Sequence, residues 1–310
     1  MAKVQRSLAG QVVAITGGAR GIGRATSAAL ISRGARVAIG DIDATLVAQT
    51  AEQLGSGTVG LPLDVTNRES FATFLDEVES RLGPIDVLIN NAGIMPIGPF
   101  LQESDAATKR IVDININGVI LGSKLAVERF TARGRGHVVN IASIVGKSAS
   151  PLLATYTATK HAVVGLTEAL RLELTGTGID LTVVMPVGVN TELYSGVQPL
   201  RGMKTPEPED VAEAIVEALQ TGRYEVYVPK SARLIARVSG LLPPRTRDAI
   251  GKVLGGDTIT HADRGARAAY EQRIAQPMVP APPPDPQPQV QDNLDGQASD
   301  AQSEREHEAV

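Results

Sequence analysis

Tyr156 and Lys160, in the stretch YTATK, are the two residues of this chain whose types and spacing best suit proton transfer. A spacing of four residues places two side chains on the same face of a helix. A free phenol has a pKa of about 10, but a neighbouring ammonium favours the phenolate and lowers that pKa. Such a pair can act as an acid–base unit near neutral pH. The alternative is two solvated side chains one helical turn apart, and the rest of the chain must decide between these interpretations.

A glycine-rich loop, TGGARGIG (16–23), lies between an apolar run and a segment with helical periodicity. Glycines at such a junction allow a tight turn and close approach of the backbone to a pyrophosphate, whose charge the helix N-terminus favours. Because turns are rich in glycine anyway, the position between a strand and a helix is the informative feature. The loop predicts a dinucleotide site with contacts from Gly17, Arg20, Gly21, Ile22 and Gly23.

Asp41 ends the second apolar run, in the stretch IGDID. A carboxylate at this position accepts hydrogen bonds from the adenosine ribose and repels a 2′-phosphate, which favours NAD over NADP. Arg20 would instead favour NADP, since a guanidinium could bind a 2′-phosphate. The alternative role of Asp41 is that of an N-cap or turn residue. We expect NAD, with NADP less favoured, and Ile42 as a further contact.

Two later strand ends carry further candidate contacts to the cofactor. Asp64, in LDV, could reach the adenine amino group with Val65 beside it, or could instead cap the helix that begins near Asn67. The stretch NNAG (90–93) has small residues that let a dinucleotide cross the sheet edge. An ordinary turn with the same residues is the alternative. The contacts expected there are Asn91, Ala92 and Gly93.

Seven short apolar runs alternate along the chain with segments whose apolar residues recur at helical spacing. Most runs are continuous, as in strands that are covered on both faces of a parallel sheet. This alternation predicts an α/β fold: a doubly wound, Rossmann-type parallel sheet of about seven strands in a single domain with a C-terminal helical extension. The predicted strands are residues 12–17, 36–41, 58–65, 85–93, 136–143, 179–186 and 224–229.

In this order and spacing, the motifs resemble those of the short-chain dehydrogenase/reductase family over roughly residues 8–229. The match joins TGxxxGxG, NNAG, an Asn, a Ser and YxxxK across five separate elements. The resemblance implies an NAD(P)-dependent alcohol dehydrogenase or ketoreductase with a catalytic tetrad of Asn115, Ser143, Tyr156 and Lys160. Ser143 would hydrogen-bond the reacting oxygen, and Asn115 would hold a water between Lys160 and solvent. Tyr156 and Lys160 are thus predicted to be an acid–base unit, in which the ammonium and the positive charge of the oxidised nicotinamide together lower the phenol pKa.

The sequence after the sixth strand departs from the family pattern. The family usually has Pro-Gly and then a threonine here, whereas this chain reads PVGVNTEL, with Val187 at the glycine position. Valine does not easily take a positive φ, so the path of this loop near the nicotinamide is an open question. Val189 and Thr191 still match positions that contact the carboxamide end of the cofactor.

Three segments that follow strand ends are candidates for the substrate pocket: residues 94–100, 145–153 and 187–200. They are mainly apolar, with Lys147 as the exception, which favours a lipophilic secondary alcohol or its ketone. Ordinary loop packing is the alternative. Two other functions are compatible with the same motifs: an NADP-dependent ketone reductase and a non-catalytic dinucleotide-binding protein on the same fold. The intact tetrad disfavours the second.

Composition divides the chain into three parts. Residues 1–229 form the predicted cofactor-binding catalytic domain. Residues 230–276 form a predicted basic, amphipathic helical extension, and its first part, 230–256, has six basic residues and one acidic residue. We expect the segment 230–256 to cap the substrate entrance or to contact another subunit, with weak peripheral membrane contact as the alternative. The proline-rich and acidic tail, 277–310, has too few apolar residues to order itself.

Whole-chain composition limits the classes of partner. The formal net charge is −4 and no basic stripe interleaved with aromatics is present, so nucleic acid is not an expected partner. The chain has no cysteine, and its four histidines lie far apart, so no metal site is expected. No apolar run suits a signal peptide or a membrane span of about 18 residues. A cytoplasmic location is expected, peripheral at a membrane only if 230–256 binds one.

Two predicted helices suggest self-association. The stretches at 119–130 and 159–174 have more apolar and small residues than one sheet-facing side requires. The family resemblance implies a helix bundle across a two-fold axis. A homodimer or homotetramer is therefore expected.

Overall fold

A computed structural model describes residues 5–199, 204–239, 242–243, 245–246, 249 and 258–275. Its centre is a parallel sheet of seven strands in the order β3-β2-β1-β4-β5-β6-β7. The predicted doubly wound, Rossmann-type sheet is therefore confirmed. The strands are β1 (Val12–Thr16), β2 (Arg36–Asp41), β3 (Val59–Pro62), β4 (Val87–Asn90), β5 (Gly136–Ile141), β6 (Ile179–Pro186) and β7 (Glu225–Val228).

Helices connect successive strands and continue after β7. The α-helices of the described chain are α1 (Gly21–Ile31), α2 (Ala44–Leu54), α3 (Arg68–Leu82), α4 (Asp105–Val112), α5 (Gly118–Arg133), α6 (Ala154–Glu173), α7 (Pro208–Thr221), α8 (Ala232–Ser239) and α9 (Arg264–Ala275). Shorter helical turns are the 3₁₀ segments Phe100–Gln102, Ile144–Gly146, Glu192–Tyr194 and Thr258–His261, and the π-helical segment Asp113–Asn117.

The sheet is buried on both faces, which explains the continuous apolar runs. Along β1, Val13 and Ile15 belong to one core layer, while Val12 and Ala14 belong to the opposite layer. All four are at most 3% exposed. Side chains alternate between the faces of a strand, so a strand covered on both faces needs apolar residues at every position.

The strand order reverses beside β1, which lies between β2 and β4. At the carboxyl ends of β1 and β4, a Cβ placed on Gly17 would lie 2.9 Å from the Ala92 Cα. In an open α/β sheet such a reversal leaves a crevice outside the strand ends, where ligands bind. The glycine loop and NNAG thus meet at the edge where the sequence predicts a dinucleotide.

The C-terminal regions are described only in part. Helix α8 follows β7, and its Leu234 and Val238 are 69% and 45% exposed. These two apolar side chains are therefore largely exposed in the described chain, and weak membrane contact through 230–256 stays a prediction. The predicted disordered tail, 277–310, lies outside the described residues. Among the residues that are described, no helix is both long and apolar enough to cross a membrane.

Candidate active site

The glycine loop is shaped by close backbone contacts. Gly17 and Gly21 have φ values of +62° and +47°, a region that favours glycine. A Cβ on Gly23 would lie 2.3 Å from the Gly17 carbonyl oxygen. Arg20 is the N-cap of α1 but makes no side-chain cap hydrogen bond, so the first N–H groups of this helix are available to an anion. This loop, including Ile22 in the first turn, fits a pyrophosphate.

Asn91 and Thr16 hold the loop against the end of β4. The Asn91 side-chain amide donates to the carbonyl oxygens of Thr16 and Gly17, each at 2.9 Å. The Thr16 hydroxyl accepts the N–H groups of Asn91 and Ala92, each at 3.0 Å. Asn91 therefore holds the glycine loop in place by binding its backbone carbonyls. This supporting role was not predicted from its position in NNAG.

Asp41 lies at the end of β2 with its carboxylate beside the glycine loop. It accepts the Ala19 N–H at 3.3 Å and the Asp43 N–H at 3.2 Å. Burial raises the pKa of Asp41, and these two hydrogen bonds act in the opposite direction. The N-cap of α2 is Asp43, which accepts the Leu46 N–H. The N-cap alternative for Asp41 is therefore wrong, whereas the turn alternative holds, since its carboxylate accepts the N–H group two residues further on. The contacts of Asp41 and Ile42 with the cofactor stay predictions.

Arg20 is paired with acidic residues within the protein. Its guanidinium lies 3.0 Å from the Asp43 carboxylate and 3.5 Å from the Glu192 carboxylate. Both contacts are at least one-third exposed, so each is weak. They nevertheless turn Arg20 toward carboxylates, which weakens the argument that it meets a 2′-phosphate.

Asp64 is nearly buried at the end of the third apolar run. Its Oδ1 accepts both the backbone N–H and the hydroxyl of Thr66, at 2.9 and 2.7 Å. Asn67, rather than Asp64, caps α3. Val65 is buried and packs on Gly118. Asp64 is thus fixed by a local turn, and its contact with an adenine stays a prediction.

Asn115 lies within the π-helical turn between α4 and α5 and is fully buried. Its Oδ1 accepts the Ile94 N–H at 2.9 Å, and its Nδ2 donates to the Ile94 carbonyl at 2.9 Å. The Nδ2 also lies 3.3 Å from the Thr159 hydroxyl. One extra residue per turn re-aims side chains, which is why π-turns recur at functional sites. Asn115 therefore connects the segment after β4 to α6; the bridging water stays a prediction.

Tyr156 sits in the first part of α6, inside an apolar cluster with Met95, Leu153 and Ile259. Its side chain is buried, and burial raises its pKa. A hydrogen bond with the Ser143 side chain acts in the other direction. The protein by itself therefore raises the Tyr156 pKa, because removing a phenolate from water costs more free energy than the hydrogen bond offsets. The predicted lowering depends also on the positive charge of the oxidised nicotinamide and stays a prediction for the enzyme with NAD bound.

Lys160 lies one turn further along α6, with its Nζ 5.7 Å from the centre of the Tyr156 ring. The Nζ donates to the Ile141 carbonyl at the end of β5, at 2.9 Å. Burial lowers the pKa of Lys160 to about 8. A Cβ on Gly93 would lie 3.7 Å from this Nζ and 3.3 Å from the Asn115 Oδ1. Tyr156, Lys160, Asn115 and Gly93 therefore lie close together, as predicted. The interpretation of Tyr156 and Lys160 as two solvated side chains is wrong, because both side chains are buried.

The loop after β6 shows why valine is accepted at 187. The Val187 N–H donates to the Val228 carbonyl at 2.8 Å and so extends the ladder between β6 and β7. The close approach falls instead on Gly188, where a Cβ would lie 2.2 Å from the Tyr194 ring. Val189 is buried in the core, and Thr191 reaches the glycine loop, with its Cγ2 3.2 Å from a Cβ placed on Gly21.

Three residues near Tyr156 belong to no motif and were not predicted from the sequence. Ile259 joins its apolar cluster, the Tyr270 hydroxyl accepts the Met95 N–H, and Arg267 is almost fully buried. All lie in a polar C-terminal stretch without a recognised motif, so only the fold brings them to the site. In the part of the chain that the structure describes, no group of three His, Cys, Asp or Glu residues could hold a metal ion.

Comparisons with known proteins identify the family of this chain. The family model for short chain dehydrogenases matches residues 11–200. Sorbitol dehydrogenase of Cereibacter sphaeroides is 36% identical over 61% of this chain and 75% of its own length. The 3-alpha-(or 20-beta)-hydroxysteroid dehydrogenase of Mycobacterium bovis is 35% identical over 67% of this chain and 82% of its own length.

A solved structure has the same fold. The short chain dehydrogenase/reductase from Burkholderia phymatum, in complex with NAD, superimposes with a TM-score of 0.70 and 26% identity, covering 76% of this chain and 94% of its own. The region matched by the family model, residues 11–200, contains the glycine loop, the NNAG edge and the Tyr–Lys pair. The chain therefore belongs to the short-chain dehydrogenase/reductase family and is an NAD(P)-dependent alcohol dehydrogenase or ketoreductase.

Proposed function

We propose that this enzyme interconverts a lipophilic secondary alcohol and its ketone with NAD, using Tyr156 as the acid–base residue. The observation that carries the proposal is the placement of the Tyr156 phenol: it is buried among apolar side chains, hydrogen-bonded to Ser143, and one helical turn from the Lys160 ammonium. NAD, when bound, accepts the hydride from the alcohol carbon, and its oxidised ring brings a positive charge that favours the phenolate.

Each tetrad residue has a separate task in this proposal. Tyr156 takes the hydroxyl proton of an alcohol, or returns it to a ketone oxygen. Ser143 hydrogen-bonds that same oxygen and orients it. Lys160 adds positive charge at a site where burial opposes the phenolate. Asn115 holds the Ile94 backbone and the Thr159 hydroxyl, so the wall after β4 keeps its position relative to α6.

The substrate class rests on the side chains around Tyr156. The cluster that contains Tyr156 is made of apolar and aromatic residues from the segments after β4, β5 and β6 and of Ile259 from the C-terminal stretch. Lys147, the charged exception, faces Glu225 at 3.7 Å, so its charge has a partner within the protein. One relative is named for a polyol and another for a hydroxysteroid. An apolar lining favours the second kind of substrate.

A screen of purified enzyme tests this directly. Reduction of NAD is followed by absorbance with steroid, terpenoid and fatty secondary alcohols on one side and sorbitol and glycerol on the other. We expect turnover with alcohols from the first set and none from the polyols. Faster turnover of the polyols would contradict the lipophilic assignment while leaving the acid–base assignment in place.

NAD is proposed as the cofactor because of the charges around the end of β2. The Asp41 carboxylate lies at the crevice, and Arg20 is already paired with Asp43 and Glu192. A 2′-phosphate would meet a carboxylate with few free positive charges nearby, which is unfavourable.

Replacing Asp41 is expected to narrow the preference for NAD over NADP. Asp41→Ala removes both the acceptor for the ribose hydroxyls and the repulsion of a 2′-phosphate. The ratio of kcat/KM with NAD to kcat/KM with NADP should therefore fall, by an amount equivalent to a few kcal/mol at most. Glu192→Ala, which frees one side of Arg20 and leaves Asp41 in place, is the comparison variant and should shift the ratio much less. If the unaltered enzyme already prefers NADP, the Asp41 argument is wrong.

Self-association through α5 and α6 is also proposed. Along α6, Ala158, Gly165 and Leu172 are exposed, and Leu172 is 60% exposed. Small residues permit close helix contact, and a two-fold axis would place the same faces together.

We expect light scattering to give a dimer or tetramer at micromolar concentration. Gly165→Arg should shift this equilibrium toward monomer, because a Cβ on Gly165 meets nothing within 4 Å in the isolated chain and can clash only with a partner. Ala48→Arg, at an exposed alanine of α2, provides a control on a helix outside the proposed contact. A monomeric native protein would contradict the proposal.

A further inference from the structure

Helix α9 lies far along the chain from the tetrad, yet it contacts the active-site segments at several points. At its start, the Asp263 N–H donates to the Gly196 carbonyl at 2.8 Å. In its middle, the Tyr270 hydroxyl accepts the Met95 N–H at 2.8 Å. At its end, the Arg110 guanidinium donates to the Ile274 carbonyl. The helix is therefore docked along its length.

Arg267 makes the most contacts in this docking and is only 2% exposed. Its Nη1 donates to the carbonyl oxygens of Leu193 and Ser195, each at 3.0 Å, and its Nη2 donates to the Met95 carbonyl at 2.8 Å. Its Nε donates to the Glu271 carboxylate at 3.0 Å. A planar guanidinium has five donors in a fixed fork. Arg267 thus bridges the segment after β4 and the segment after β6.

Gly196 gives an independent sign that this contact is built into the fold. It has a φ of +70°, and a Cβ there would lie 2.5 Å from the Asp263 carbonyl and 3.2 Å from the Arg267 Cγ. Only glycine lets the loop after β6 approach the start of α9 this closely.

The bridged segments border the proposed acid–base residue. Met95 belongs to the same apolar cluster as Tyr156, and Leu193 packs against that cluster. Tyr270 lies close enough to Tyr156 that a charge on it would raise the Tyr156 pKa. The position of both segments therefore sets the shape of the pocket on the substrate side of Tyr156.

We propose that Arg267 is a positioning residue for the substrate site: by binding the carbonyls of Met95, Leu193 and Ser195, it fixes the two walls between which the alcohol carbon is held. The proposal rests on the function proposed above. A displacement of about 1 Å in such walls can cost a factor of about 100 in rate.

The test compares Arg267→Ala and Arg267→Lys with Arg264→Ala, an exposed residue one turn earlier on the same helix. With the best alcohol of the screen, we expect kcat/KM to fall by about 10- to 100-fold in both Arg267 variants, with a rise in KM. Lysine should not restore activity, because it lacks the planar fork. Millimolar guanidinium should partly rescue Arg267→Ala, and ammonium at equal ionic strength should not. The affinity for NADH and the activity of Arg264→Ala should stay near native.

A second readout does not depend on turnover. Hydrogen exchange at the Met95 N–H and across 193–197 should accelerate in Arg267→Ala, while exchange in the glycine loop stays slow. Loss of folded protein alone would lower kcat without raising KM and would accelerate exchange everywhere, which would overturn the proposal. Unchanged KM with unchanged exchange would also overturn it. If the native enzyme oxidises no alcohol, the proposed function is wrong. The hydrogen-exchange rates at Met95 and across 193–197 then still decide whether Arg267 fixes the segments after β4 and β6.

Discussion

The Tyr156→Phe variant is expected to bind NAD with nearly native affinity and to lose turnover by a factor of about 100 or more. The phenyl ring fills the same buried space beside Met95 and Leu153, so the apolar cluster around α6 stays intact. Only the proton carrier is removed. The measurement is kcat with the best alcohol of the screen, together with the dissociation constant of NADH by fluorescence titration.

Tyr224→Phe is the matched control for this substitution. Tyr224 is a partly buried tyrosine whose ring contacts Arg171, away from the glycine loop and the tetrad. The same loss of a hydroxyl should leave turnover near native there. If Tyr156→Phe binds NADH and oxidises the alcohol at an undiminished rate, Tyr156 is not the acid–base residue.

The Lys160→Ala variant is expected to lose most of its turnover and, in contrast to Tyr156→Phe, to bind NAD more weakly. The ammonium lies close to the Tyr156 ring and beside Gly93 at the crevice, where it can reach the nicotinamide ribose as well as the phenol. Lys160→Met removes the charge but keeps most of the chain, so it separates the charge from the packing. Lys204→Ala, at an exposed lysine, is the control.

The pH dependence of the Lys160 variants follows from the two pKa shifts. Burial lowers the Lys160 pKa to about 8, so the native ammonium is present below that pH and is lost as pH rises through it. Burial raises the Tyr156 pKa, so without the ammonium the phenolate forms only at higher pH. Residual alcohol oxidation in Lys160→Ala and Lys160→Met should therefore shift to higher pH than in the native enzyme. A pH profile that superimposes on the native one would contradict this role of Lys160.

The order of the elements, the cofactor edge and the YxxxK spacing were all predictable from the sequence. Each depends on residues close together in the chain: continuous apolar runs for doubly covered strands, glycines at a strand–helix junction, and two side chains four residues apart on one helix. Because parallel strands end at a common edge, the sequence also places the loop, NNAG and Ser143 near one another.

The tertiary structure alone decided properties that depend on distant neighbours. The Tyr156 pKa is raised because side chains from separate segments, including Ile259, exclude water around the phenol. Arg20 is paired because Asp43, just after β2, and Glu192, in the segment after β6, both lie within reach of its guanidinium. Val187 is accepted because it joins the ladder to β7 while Gly188 takes the close approach. Arg267 lies in a polar helix without a motif, and only long-range packing brings its guanidinium to three carbonyls in segments that border Tyr156. The physical reason is that burial and charge pairing are set by contacts between segments far apart in the chain.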